Sequence, residues 1–221
     1  ARNIARRNPA NGAKTDAKKG AEDVDDVNHT REPFRSVSKQ LARRAAETTM
    51  EKTMITPEYC STMARYNRWQ NTSLFAAASG LSDDERRLDR GAFFGSIHAT
   101  LVHLAWGDTI WMSRFDGWDM PEVGLSDSAS WLADWSELTA YRTKADQRII
   151  DWAARVTEAA LGGDIAWYSG ATGRDFQKPK ALTVLQLFNH QTHHRGQVHA
   201  MLTAAGTRPD DTDLPFMPDD A

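Results

Sequence analysis

The chain has 221 residues, with 27 Lys and Arg against 30 Asp and Glu, and its formal net charge of −3 argues for neither a nucleic-acid nor a membrane partner. No stretch approaches the roughly 18 consecutive apolar residues a spanning helix needs, so a soluble, cytoplasmic protein is expected. The single cysteine, Cys60, excludes an internal disulfide framework and a Cys-rich zinc site and leaves seven histidines as the ligand inventory.

Two unlike pieces follow one another. Residues 1–50 carry 11 basic and 7 acidic side chains, whereas residues 51–221 carry 16 and 23. Nine of the 16 apolar residues in the first fifty are Ala, and Asn8-Pro9-Ala10-Asn11-Gly12 and Asp23 to Asp26 break any periodicity. That composition buries too little to offset chain entropy, so residues 1–53 read as a disordered or non-native N-terminal extension and residues 54–221 as the folded domain.

Four long helices and one hairpin are expected in that domain. Thr56 as N-cap, Pro57 at the first helical position and Glu58 in the first turn open a helix to about Ala78, which Gly80 closes. After a charged loop over Ser82 to Arg90, a second helix runs from about Gly95 to Phe115 and stops at Asp116-Gly117. Ser128 or Ser130 starts a third, whose Trp131, Trp135, Leu138, Ala145, Ile149 and Trp152 keep a helical stripe towards Ala160 before Gly162-Gly163. Residues 164–176 place β-formers on both sides of a Gly-containing turn and read as a short β-hairpin. The last helix spans about Leu182 to Ala205. An all-α four-helix bundle with an inserted hairpin follows, the architecture in which metal sites are built from inward-facing side chains of facing helices.

Val184, Leu187, His190, His194, Val198 and Met201 succeed one another at steps of three or four, so His190 and His194 share the apolar face of the last helix one turn apart. His193 and His199 fall off that line. Two imidazoles at i, i+4 can hold one ion, as in the HExxH zinc motif, but Gln191 stands where that motif has its general base, so a zinc peptidase is rejected. A third ligand must come from another helix. The second helix offers His98 and His103, about 140° apart around the axis, and His103 is preferred because it aligns with Ala99, Trp106 and Ile110.

Tyr66-Asn67-Arg68-Trp69-Gln70-Asn71, His103-Leu104-Ala105-Trp106-Gly107-Asp108 and the run NHQTHHRGQ over Asn189 to Gln197 resemble, in order, three motifs of the DinB/YfiT-like family. Trp167 to Gly173 and Thr212 to Met217 are similar as well, while nothing in residues 1–53 belongs to the pattern. The resemblance implies an up-down-down-up bundle, usually dimeric, with a divalent metal held by His103, His190 and His194. It also implies relatives that are thiol-dependent transferases, and hence a role in stress or detoxification.

Three imidazoles suit Zn²⁺, Ni²⁺, Fe²⁺ or Cu²⁺ alike. With an open fourth position, a low-molecular-weight thiol could serve as co-substrate against a small electrophile, its pKa lowered by the ion, with Trp106 and Trp111 as pocket walls. A hydrolase and a non-catalytic metal-binding stress protein are the alternatives. Arg195 could clamp a substrate carboxylate or pair with Asp108; Asn67, Asn71 and Gln197 could hydrogen-bond the far nitrogens of the ligand histidines. Gly196 is expected to allow close helix packing, and Cys60 to be an inert small residue.

Overall fold

A computed structural model of the chain describes residues 54–221; the extension expected over residues 1–53 lies outside the described residues. Local chemistry sets the helix ends. Helix α1, Pro57–Ser79, opens on Thr56, whose hydroxyl accepts from the Tyr59 N–H at 3.2 Å. Helix α3, Ile97–Asp116, opens on Ser96, which accepts from Ala99 N–H, and closes on Gly117 in the left-handed region at φ 67°.

Several boundaries differ from the sequence reading. The segment read as a loop after α1 contains the short helix α2, Asp83–Arg87, held by a reciprocal capping box between Ser82 and Glu85. Helix α4 is Trp135–Arg155 and starts well after Ser128 or Ser130, because Asp134 caps it and the Leu132 carbonyl is turned away to meet His98 Nε2 at 3.1 Å. Trp131 therefore extends the apolar stripe without being helical. Past Arg155 the chain breaks, and Thr157 caps a separate short helix α5, Glu158–Leu161.

Strands β1, Asp164–Ser169, and β2, Arg174–Pro179, form the antiparallel hairpin, with Trp167 opposite Phe176 and their rings stacked at 5.4 Å. The second strand runs straight into helix α6, Lys180–Ala204, whose first N–H bonds back to the Gly163 carbonyl at the hairpin base. The helix thus begins two residues before the expected Leu182.

Side-chain pairs give the bundle its topology. Tyr59 meets Phe188 and Asn67 meets Arg195, so α1 and α6 run the same way. Phe75 stacks on Trp135 while Asn67 reaches Asp146, so α1 and α4 run oppositely. Asp108 meets Arg142 and Phe115 meets Trp152, which makes α3 and α4 parallel. Gly107 lies against His190 and His103 against His194, which makes α3 and α6 antiparallel. The order is up-down-down-up, and each helix packs on two neighbours around the ring α1, α4, α3, α6. After α6 the tail folds back along α1: Ser73, Gln70, Tyr66 and Arg65 bond in turn to Asp210, Asp211, Thr212 and the backbone of 218–221.

The core has two apolar parts. Ala64, Met112, Ile149, Trp152, Val184 and Phe188 belong to one, and Leu74, Leu101, Leu138, Val198 and Met201 to the other. At the middle of the four long helices lies a buried polar layer. Arg142 spans Asp108 at 2.5 Å and Asp146 at 2.8 Å; Gln191 donates to Asp108, and Asn67 and Asn71 donate to Asp146. Burial pulls the Arg142 guanidinium down, but the Asp146 and Asp108 carboxylates outweigh it and hold it above the ordinary range.

Arg142→Met would leave two carboxylates facing each other out of water. A loss of about 3–5 kcal/mol in unfolding free energy is expected from urea denaturation; a loss below about 1 kcal/mol would mean that the layer does not constrain the fold.

Candidate metal centre

The histidine cluster sits on α3 and α6 beside the polar layer. The helical step puts His190 and His194 on one face, and the antiparallel packing of α3 brings His103 opposite them. Ring centres lie 4.5 Å apart for His190 and His194, 5.0 Å for His103 and His194, and 5.2 Å for His103 and His190. One nitrogen from each ring falls within 4.8 Å of the others, an arrangement compatible with holding one metal ion.

Two of the three outward nitrogens are occupied. His103 Nδ1 lies 2.8 Å from Ser128 Oγ, and His194 Nδ1 donates to Gln197 Oε1 at 2.8 Å. The Gln197 bond leaves the His194 Nε2 with its lone pair, and His103 Nε2 is 3.2 Å from His190 Nε2. His190 Nδ1 is buried without a hydrogen-bond partner. Burial, reinforced by the neighbouring imidazoles, pulls His103 down to about 3; burial and His194 bring His190 to about 4 despite the opposing Asp108 charge. His194 is also lowered, chiefly by burial. All three are neutral at pH 7, the form that ligates metal.

Two neighbours shape the cluster. A Cβ at position 107 would stand 2.8 Å from His190 Cε1, so glycine is what lets that ring lie against α3. Phe94 is stacked on His103 at 3.9 Å and lies 5.4 Å from His194. Its backbone belongs to a tight loop in which Ala92 and Gly95 form an isolated bridge and Gly95 takes φ 74°. Neither Phe94 nor Ser128 was singled out as a site residue from sequence. Two glycines bracketing an aromatic pair at Gly91 to Gly95 were the available signal for Phe94; Ser128 read instead as a helix cap.

Other candidates fall elsewhere. His98 is buried on the Leu132 carbonyl, away from the cluster. Asn67 and Asn71 bond to Asp146 and not to a histidine, because the polar layer lies between α1 and the cluster. Arg195 pairs with neither Asp108 nor solvent: it donates to Asn67 Oδ1 and Thr192, and lies 5.4 Å from the Tyr66 ring centre. Burial lowers it to about 10, which leaves it cationic at pH 7. It is 4 % exposed, a position suited to bracing α1 against α6 and not to clamping a substrate. Gly196 faces open space, so it does not serve the close packing expected of it. Cys60 is fully buried, and burial pushes its thiol up to about 11.

A family model described as the DinB family matches residues 50–221. A crystal structure of a DinB-like protein from Bacillus cereus ATCC 10987 is similar at 17% identity and a TM-score of 0.48, covering 65% of this chain and 90% of that one. No curated protein matches the chain. Among the described residues no helix is long and apolar enough to cross a membrane.

The depressed histidines predict acid sensitivity of the metal-free fold. Unfolded, they take up protons as pH falls below about 6.5, while the folded forms resist until about pH 4, so stability is full above that window and declines as pH drops through it. The urea midpoint of chelator-treated protein should fall between pH 7.5 and 5.5, and His103→Gln should flatten that slope.

Proposed function

We propose, from the premise that this chain belongs to the DinB family, that His103, His190 and His194 hold one divalent metal ion in an enzyme acting on small molecules. The observation that carries the reading is the convergence of three neutral imidazoles whose outward nitrogens are largely engaged. A zinc, nickel or iron ion bound there would supply a Lewis acid that lowers the pKa of a thiol or a water at its open position.

The surrounding residues favour the thiol. Asp108, the nearest carboxylate along α3, is tied to Arg142 and Gln191, and Gln191 itself is turned into the polar layer. The nearest carboxylate is therefore engaged elsewhere, and the imidazole beside the cluster, His193, is exposed with its ring centre 4.8 Å from that of His194, an arrangement that suits a nucleophile that ionises readily at neutral pH better than it suits water. Ser128 and Gln197 orient the rings, and Phe94 and Gly107 set the room around them. Transfer of a low-molecular-weight thiol to a small electrophile, in a cytoplasmic homodimer serving stress or detoxification, is the reaction class and setting we assign.

Elemental analysis of the purified protein should find near-stoichiometric metal that is lost in His103→Ala; no metal in either protein overturns the site. With metal bound, free thiol should disappear when cysteine and 1-chloro-2,4-dinitrobenzene are supplied, and chelator should stop it. Ester hydrolysis in its place would make the protein a hydrolase, and metal without turnover a binding protein.

Gly107→Ala should leave the helix intact, since Ala is the better helix former, yet push His190 aside. Metal affinity, read by competition with a chromophoric chelator, is expected to drop about 10- to 100-fold, the range typical of displacing a ligand's support.

A further inference from the structure

Alongside the histidines, a cleft of about 680 Å³ opens between α3, the segment from Met120 to Ser126 and the hairpin. Trp106 and Trp111 of α3 and Trp167 of β1 give it an aromatic wall. Trp106 also stacks towards His103 at 5.9 Å, and its indole N–H donates to the Val123 carbonyl at 2.9 Å, which holds the loop to the helix.

Arg114 is the charged group lining this cleft. It is half-buried, with its guanidinium carbon 4.8 Å from the Trp111 ring centre and 5.7 Å from that of Trp167. Among the described residues it has no hydrogen bond and no ion pair. The acids of adjoining segments do not serve it: Asp116 is paired with Arg155, Asp127 accepts from Ser126, and Asp119, Glu122 and Asp175 are exposed and do not line the cleft. Two indole faces attract the guanidinium, but they leave its planar edge of N–H donors unused. A partly desolvated cation of this kind is suited to a carboxylate, which accepts two parallel N–H bonds from that edge.

We propose that the cleft binds a small organic carboxylate with a flat apolar body, the carboxylate on Arg114 and the body against Trp106, Trp111 and Trp167. Binding needs no metal, and a molecule held there lies one indole away from His103.

The test compares 1-naphthylacetate with its neutral isostere 1-naphthylacetamide by titration calorimetry. The acid should bind about tenfold tighter than the amide, as a charge-assisted pair implies. Arg114→Met should erase that preference, and Arg114→Lys should keep part of it. The preference should persist in chelator-treated protein, so failure of the metal assignment would leave it standing. Equal affinity for acid and amide, no binding of either, a preference that survives Arg114→Met, or its loss on chelation would each overturn the proposal.

Discussion

The Arg142 guanidinium between Asp108 and Asp146 is the contact on which the rest of the bundle depends. It ties α3 to α4 directly, and its two carboxylates carry the tie outward, through Gln191 to α6 and through Asn67 and Asn71 to α1. Apolar side chains alone would let four helices slide past one another by a turn at modest cost, since Leu and Val pack almost as well in the next hole. A guanidinium buried between two carboxylates has no second position. Its main effect is therefore register, because the cost of desolvating such charges absorbs most of their attraction. Arg195 adds a second buried cation, held by Asn67 and Thr192 and paired with neither carboxylate.

Register in turn makes the histidine cluster. His190 precedes Gln191 on α6, and His103 lies little more than a turn before Asp108 on α3, so fixing Gln191 on Asp108 brings the imidazoles together. The two systems have opposite electrostatics. The layer holds charges that are paired and shielded; the cluster holds bases that burial keeps uncharged. Gly107 belongs to both, one residue from Asp108 and in contact with His190.

The helices were legible where caps and periodicity agree. Thr56-Pro57-Glu58 at α1 and Asp116-Gly117 at the end of α3 are local signals, and the structure uses them locally. The start of α4 was illegible because Trp131 and Trp135 continue one stripe across a non-helical stretch, and only the tertiary bond between His98 and Leu132 shows that the backbone there is elsewhere engaged. The same limit applies around the site. A four-residue step shows which histidines share a face of one helix, but whether Asn67 meets a histidine or Asp146 depends on how four helices are arranged around an axis. Ser128 and Phe94 come from loops, where position is set by what the chain folds against and leaves no period to read.

The ring order α1, α4, α3, α6 also bears on how the chain reaches this state. Of the helices successive in sequence, α1 with α3 and α4 with α6 sit across diagonals, and α3 with α4 are neighbours but parallel, so no successive pair of long helices forms an antiparallel hairpin. The interfaces of α1 with α4, of α3 with α6 and of α1 with α6 all join helices separated by at least one intervening long helix, and α1 must wait for α6, the last of the four, to complete its surroundings. Closing such loops costs entropy before any contact repays it, which places this bundle with the slower folders among helical proteins and makes assembly a late, concerted event during synthesis.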